Sequence, residues 1–143
     1  MSSVRRIAVC LLASVGLLLA SVLPASAETG GVPFTVELTG GAEVPGPGDP
    51  DGSGTASLTI NPGLGEVCWT IEVEGIDPIT AAHIHVGSTT EAGSVVVPLS
   101  KDPGCIAVDR DLALAIILDP SSYYVNVHNM EFPAGALRGQ LDR

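Results

Sequence analysis

From residue 34 onward, apolar and polar side chains alternate with a period of two through most of the chain, the pattern of strands with one face in a core and one in water. Phe34–Thr39, Thr55–Ile60, Glu66–Glu74, Ala81–Gly87, Ser94–Leu99, Tyr123–His128 and Ala136–Leu141 all read this way. In Glu66–Glu74, one face carries Val67, Trp69, Ile71 and Val73, and the other Glu66, Cys68, Thr70, Glu72 and Glu74. The Trp69 face is the buried one, because a row of unpaired acids cannot be. Between these runs lie turn residues. Gly40–Gly54 holds Pro45, Pro47 and Pro50, and Asn61-Pro62-Gly63, Gly75-Ile76-Asp77-Pro78, Asp102-Pro103-Gly104-Cys105 and Glu131–Gly135 follow. Pro98 places Ser94–Leu99 at a sheet edge.

Asp109–Asp119 breaks the rhythm. Asp109 suits a helix cap and Asp111 its first turn; Leu112, Ala115, Ile116 and Asp119 recur at helical spacing, and Pro120 stops the run. The spacing predicts one short helix here, with a buried strand as the alternative because Ile116-Ile117-Leu118 also suits β structure. The sum is an all-β, Greek-key, immunoglobulin-like β-sandwich of about seven strands and one short helix. The same spacing would also fit a closed barrel.

The first residues follow a different rule. Arg5 and Arg6 precede an uncharged apolar run from Ile7 to Leu23, and Ala25-Ser26-Ala27 supplies a small-residue cleavage pattern. Together these predict a signal peptide over 1–27, cleaved near Ala27-Glu28, and one domain over 28–143. The expected location is secreted or extracellular, or periplasmic, with membrane contact only through the leader during export. All 16 acids follow the leader whereas two of the six basic residues fall inside it, so cleavage makes a chain of net charge −10 more acidic still. That balance argues against nucleic acid and anionic membrane surfaces as partners. Asp49-Pro50-Asp51-Gly52 lacks the spaced oxygen ligands of a calcium-binding hand. Cys68 and Cys105 have no C-x-x-C spacing and follow an export signal, so they are expected to form a disulfide rather than a metal or redox pair.

The candidate chemistry lies in the three histidines. In Ala81-Ala82-His83-Ile84-His85-Val86-Gly87, a strand turns Ala82, Ile84 and Val86 to the core and both imidazoles to the other side. In Tyr123–His128, Tyr124, Asn126 and His128 alternate with Tyr123, Val125 and Val127. If the two strands share a sheet, His83, His85 and His128 converge. Strand geometry sets the Cα atoms of His83 and His85 about 6.5–7 Å apart, which one ion can bridge, and imidazole suits copper or zinc. Met130 would join the same face if the strand continued, and a thioether favours copper. The competing reading is structural: imidazoles, Tyr124 and Asn126 bonded to loop groups, with Glu43 as the carboxylate partner of a buried Arg138. No G-x-S-x-G turn is present, and we assign no catalytic residue.

Four segments stand in order along the chain: Gly41-Ala42-Glu43-Val44-Pro45, Ala81–Gly87, Tyr123–His128 and Phe132-Pro133-Ala134-Gly135-Ala136-Leu137-Arg138-Gly139-Gln140-Leu141. Together they resemble the CHRD (chordin-type) domain family, which also occurs as small exported bacterial proteins. Gly46 stands where the family usually has a second proline. The resemblance implies an extracellular β-sandwich and no established enzymatic activity. The expected function is therefore a non-catalytic module that binds an unidentified protein or cell-envelope component, with copper or zinc binding at His83, His85 and His128 as the alternative. The His-x-His strand is also similar to that of copper–zinc superoxide dismutases, but their second-metal ligands have no counterpart here.

Overall fold

The computed structural model describes residues 30–143; the expected signal peptide over 1–27 lies outside the described residues. The alternating segments form β1 (Val32–Thr39), β2 (Ser53–Asn61), β3 (Glu66–Glu74), β4 (Ala81–Val86), β5 (Val95–Leu99), β7 (Tyr123–His128) and β8 (Leu137–Gln140). An eighth strand, β6 (Gly104–Ala107), occupies part of what the sequence reads as a turn. All are antiparallel neighbours in one sheet of order β5-β4-β7-β8-β1-β2-β3-β6. β5 and β6 each have one partner and form its edges, so hydrogen bonding does not close a barrel. Pro98 lies on the β5 edge, where a missing N–H costs no ladder bond.

The expected all-β, sandwich-like architecture follows from the side-chain alternation. Phe34, Val36 and Leu38 of β1, Ala56, Leu58 and Ile60 of β2, and Val67, Trp69 and Ile71 of β3 meet Ala82, Ile84, Val125, Val127 and Leu137 in one apolar core. Trp69 is buried as its alternation requires, and its indole N–H is shared between the carbonyls of Ser100 and Asp102. This tethers the loop that leads into β6. At the end of β4 the alternation fails: Val86 is 39% exposed, because the strand stops there and the chain turns away at Gly87.

The helix α1 spans Arg110–Leu118, with the Asp109 carboxylate accepting the Asp111 N–H at 2.7 Å. Its buried residues are Ala113, Ile116 and Ile117, whereas Leu114 and Leu118 face outward. The buried stripe is thus offset from the Leu112/Ala115/Ile116 stripe that spacing alone selects, because a helix of only nine residues, about two and a half turns, can rotate to fit the surface it covers.

Cys68 and Cys105 stand directly opposite each other on β3 and β6 and form the expected disulfide. It fastens a four-residue edge strand that has no other strand beside it. Closing a loop across 37 positions should contribute about 3–4 kcal/mol in the chain-entropy model. Cys68→Ser combined with Cys105→Ser should therefore lower the unfolding free energy measured in urea by that order and accelerate hydrogen exchange at Ile106. An unchanged urea midpoint would show that β6 holds without its cross-link.

Candidate metal centre

The site is built by register. β4 and β7 pair antiparallel with His83 opposite Asn126, His85 opposite Tyr124 and Ala81 opposite His128. β8 continues the rows, with Arg138 opposite Asn126 and Gln140 opposite Tyr124. One face of this three-strand region therefore carries His83, His85, Tyr124, Asn126, His128, Arg138 and Gln140, and the other turns Ala82, Ile84, Val125, Val127 and Leu137 into the core. The polar face is not left to water. Tyr124 and Asn126 are as buried as Val125 and Val127, because loops fold over it.

The three imidazoles meet on that face. Ligand-capable ring nitrogens of His83, His85 and His128 all lie within 4.8 Å of one another. His128 Nδ1 donates to the Pro133 carbonyl at 3.1 Å, which leaves its Nε2 as an acceptor, 3.2 Å from His83 Nδ1. His85 Nδ1 donates to the Gly93 carbonyl at 2.9 Å, and its Nε2 is buried with no protein partner. Each of these two rings thus spends one nitrogen on a backbone carbonyl; His128 turns its other nitrogen to His83, and His85 keeps its Nε2 buried and unbonded. Burial holds the His83 imidazole below its ordinary pKa, helped by the neighbouring His128 and His85. Burial does the same to His128, against the opposing pull of the Pro133 carbonyl. Both favour the neutral ring, the form that coordinates.

A tetrahedral ion about 2.1 Å from each nitrogen sets its ligands about 3.4 Å apart. The His83–His128 pair is already close to that value, and an ion would take the place of the proton that His83 Nδ1 donates to His128 Nε2, the His83 proton moving to its other ring nitrogen. The widest separation in the set, at most 4.8 Å, would have to shorten by about 1.4 Å to reach it, a change that side-chain rotation can supply. The donor set is three imidazoles without carboxylate or thiolate, which suits copper or zinc and not the hard oxygen-seeking ions. Glu66, Cys68 and Cys105 are also close together, but both sulfurs are committed to the disulfide.

Met130 does not reach this cluster. The strand that would have carried it ends at His128, Asn129 turns the chain by accepting the Phe132 N–H, and Met130 stands 80% exposed.

The surrounding network differs from its expected wiring. Arg138 is 1% exposed, yet among the described residues no carboxylate lies within ion-pair distance of it. Its guanidinium donates to the carbonyls of Glu91 (2.9 Å) and Ser88 (2.5 Å) and lies 3.5 Å over the Tyr124 ring. The loop after β4 supplies those carbonyls, so the cation is solvated by backbone and an aromatic face rather than by Glu43. Glu43 is buried separately and accepts from the Asn126 amide, which also reaches the Leu137 carbonyl. Gly135, at φ +151°, lies so close that a Cβ there would overlap the Glu43 carboxylate.

Sequence reasoning missed Gly93, Ser88, Glu91 and Gln140. Gln140 ties the carbonyls of Gly87, Ser121 and Tyr123 together through one amide nitrogen. The available signal was the pair Gly87 and Gly93, which brackets the loop directly after the histidine strand.

Burial raises the Glu43 pKa to about 7 from 4.5, against Arg138, the Val44 N–H and Asn126, which lower it. A carboxyl whose folded pKa lies above its unfolded one stabilises fully below the unfolded value and loses that contribution as pH rises through the folded value. Wild type should therefore lose about 1–3 kcal/mol relative to Glu43→Gln between pH 4.5 and pH 7.5. Parallel pH–stability curves for the two proteins in denaturant titrations would contradict this.

A family model for the CHRD domain matches residues 34–141. Comparison with curated proteins and with solved structures finds no match. The family match covers β1 from Phe34 onward, all of β2 to β8, and every residue of the polar face. This chain belongs to the CHRD domain family.

Proposed function

We propose that this protein is an exported, non-catalytic module that binds one copper or zinc ion through His83, His85 and His128. The observation that carries the proposal is the gathering of three imidazole nitrogens within 4.8 Å, with His85 and His128 each fixed from behind by a backbone carbonyl. That back-side hydrogen bond is how metal-ligating histidines are ordinarily oriented. The sequence ranks partner binding first and metal second. We rank metal binding first, and the buried, unpartnered His85 Nε2 beside two further imidazoles supports that ranking.

Export rests on the leader-like sequence of 1–27, on the Cys68–Cys105 disulfide and on membership of a family of extracellular-type modules that are generally non-enzymatic. Among the described residues, no helix is long and apolar enough to cross a membrane. An interaction with a protein or envelope component would use the loop surfaces around the same face, and the bound ion would set their arrangement.

The purified chain, stripped with chelator and titrated calorimetrically, should take up one equivalent of copper(II) or zinc(II). Ion at a hundredfold excess over Kd should add about 2.7 kcal/mol to the unfolding free energy, reversibly with EDTA. His83→Ala and His128→Ala should each abolish uptake. Absence of stoichiometric binding, with a Tm indifferent to both ions, would overturn the metal reading and leave a hydrogen-bonded histidine cluster.

A further inference from the structure

We infer that Gly93 and Tyr124 are positioning residues for His85: they fix which nitrogen of that ring carries the proton and which is left buried as a free acceptor. The metal consequence rests on the reading above, but the positioning itself is a property of the metal-free protein. His85 stacks on Tyr124 with ring centroids 4.8 Å apart and planes 12° from parallel. Stacking fixes the plane of the imidazole and leaves open which edge points inward. The Gly93 carbonyl decides that, by accepting Nδ1–H at 2.9 Å and leaving Nε2 as the bare acceptor.

Gly93 is itself held. Its N–H donates to the Tyr124 hydroxyl at 3.1 Å, so the aromatic side chain that stacks on His85 also anchors the residue that orients it. Only glycine fits, because a Cβ at 93 would collide with the Val86 carbonyl oxygen. The loop is fastened at two further points by Arg138, through Ser88 and Glu91, and Arg138 lies against the same Tyr124 ring. One side chain thereby links the strand histidine, the loop glycine and the buried guanidinium. An alternative Nε2–H tautomer would lose the Gly93 bond and put a proton on the one His85 nitrogen left free to coordinate.

Tyr124→Phe removes the hydroxyl and keeps the ring. The test is long-range nitrogen–proton NMR of the metal-free protein, which distinguishes the two tautomers of each imidazole, followed by copper(II) or zinc(II) titration. In wild type, His85 should be almost wholly the Nδ1–H tautomer and the Gly93 amide should be protected from exchange. Tyr124→Phe should speed Gly93 exchange, raise the Nε2–H fraction and weaken ion affinity about 10- to 100-fold. Ile71→Val, a core change on β3, controls for lost stability and should leave the His85 tautomer and the affinity at wild-type values.

A wild-type His85 tautomer in Tyr124→Phe, or a freely exchanging Gly93 amide in wild type, would overturn the positioning role. Wild type that shows the tautomer shift on mutation but takes up neither ion would overturn the metal reading and leave the positioning role standing.

Discussion

Everything chemical in this protein depends on the register between β4 and β7. Pairing Ala81 with His128, His83 with Asn126 and His85 with Tyr124 puts three imidazoles, a phenol and an amide on one face, and delivers Ala82, Ile84, Val125 and Val127 to the core on the other. A slip of one residue would exchange the faces, burying imidazoles among Phe34, Leu38 and Leu58 while exposing Ile84 and Val127. The core therefore enforces the site: the apolar residues of these strands cannot be satisfied without bringing the histidines together.

Burial of the polar face poses a second requirement, since each donor and acceptor taken from water needs a replacement. The replacements are mostly backbone carbonyls from loops: Gly93 for His85, Pro133 for His128, Ser88 and Glu91 for Arg138, and Gly87, Ser121 and Tyr123 for Gln140. At three places this close approach requires a missing side chain. A Cβ at Gly93 would strike the Val86 carbonyl, and one at Gly48 or Gly135 would strike Glu43. Glycine in these loops is the means by which a sheet face is given a second, polar interior.

The strands and their faces were legible because alternation is a local property. Tyr123–His128 matches its strand residue for residue, and the Trp69 face is buried as the acids opposite it require. The convergence of the histidines was legible only conditionally, since sequence alone does not state which strands are neighbours. Three features were hidden for identifiable reasons. The strand β6 starts at the glycine of Asp102-Pro103-Gly104 and exists through its pairing with β3, including the Cys68–Cys105 pair, not through any run of its own. Arg138 looked in need of a carboxylate, but the sequence does not reveal that a loop some fifty positions earlier would supply carbonyls. Met130 was placed by extending an alternation past the point where Asn129 turns the chain.

The structural and metal readings of the histidine cluster agree on nearly every contact, so the choice between them falls on unpaired atoms. Three buried side-chain polar atoms among the described residues have no partner: His85 Nε2, Asn129 Nδ2 and Gln140 Oε1. The amide atoms belong to groups whose other end is fully engaged, with Asn129 Oδ1 capping Phe132 and Gln140 Nε2 reaching three carbonyls. His85 Nε2 differs in its setting, since its ring belongs to a group of three imidazoles with ligand-capable nitrogens close together. A cation would be accepted by all three rings once the proton that His83 Nδ1 shares with His128 had moved to the other His83 nitrogen. An acidic chain adds to this by lowering the electrostatic cost of bringing a divalent ion to a face that has no carboxylate of its own in the cluster. The cluster is thus completed by positive charge more simply than by another protein group.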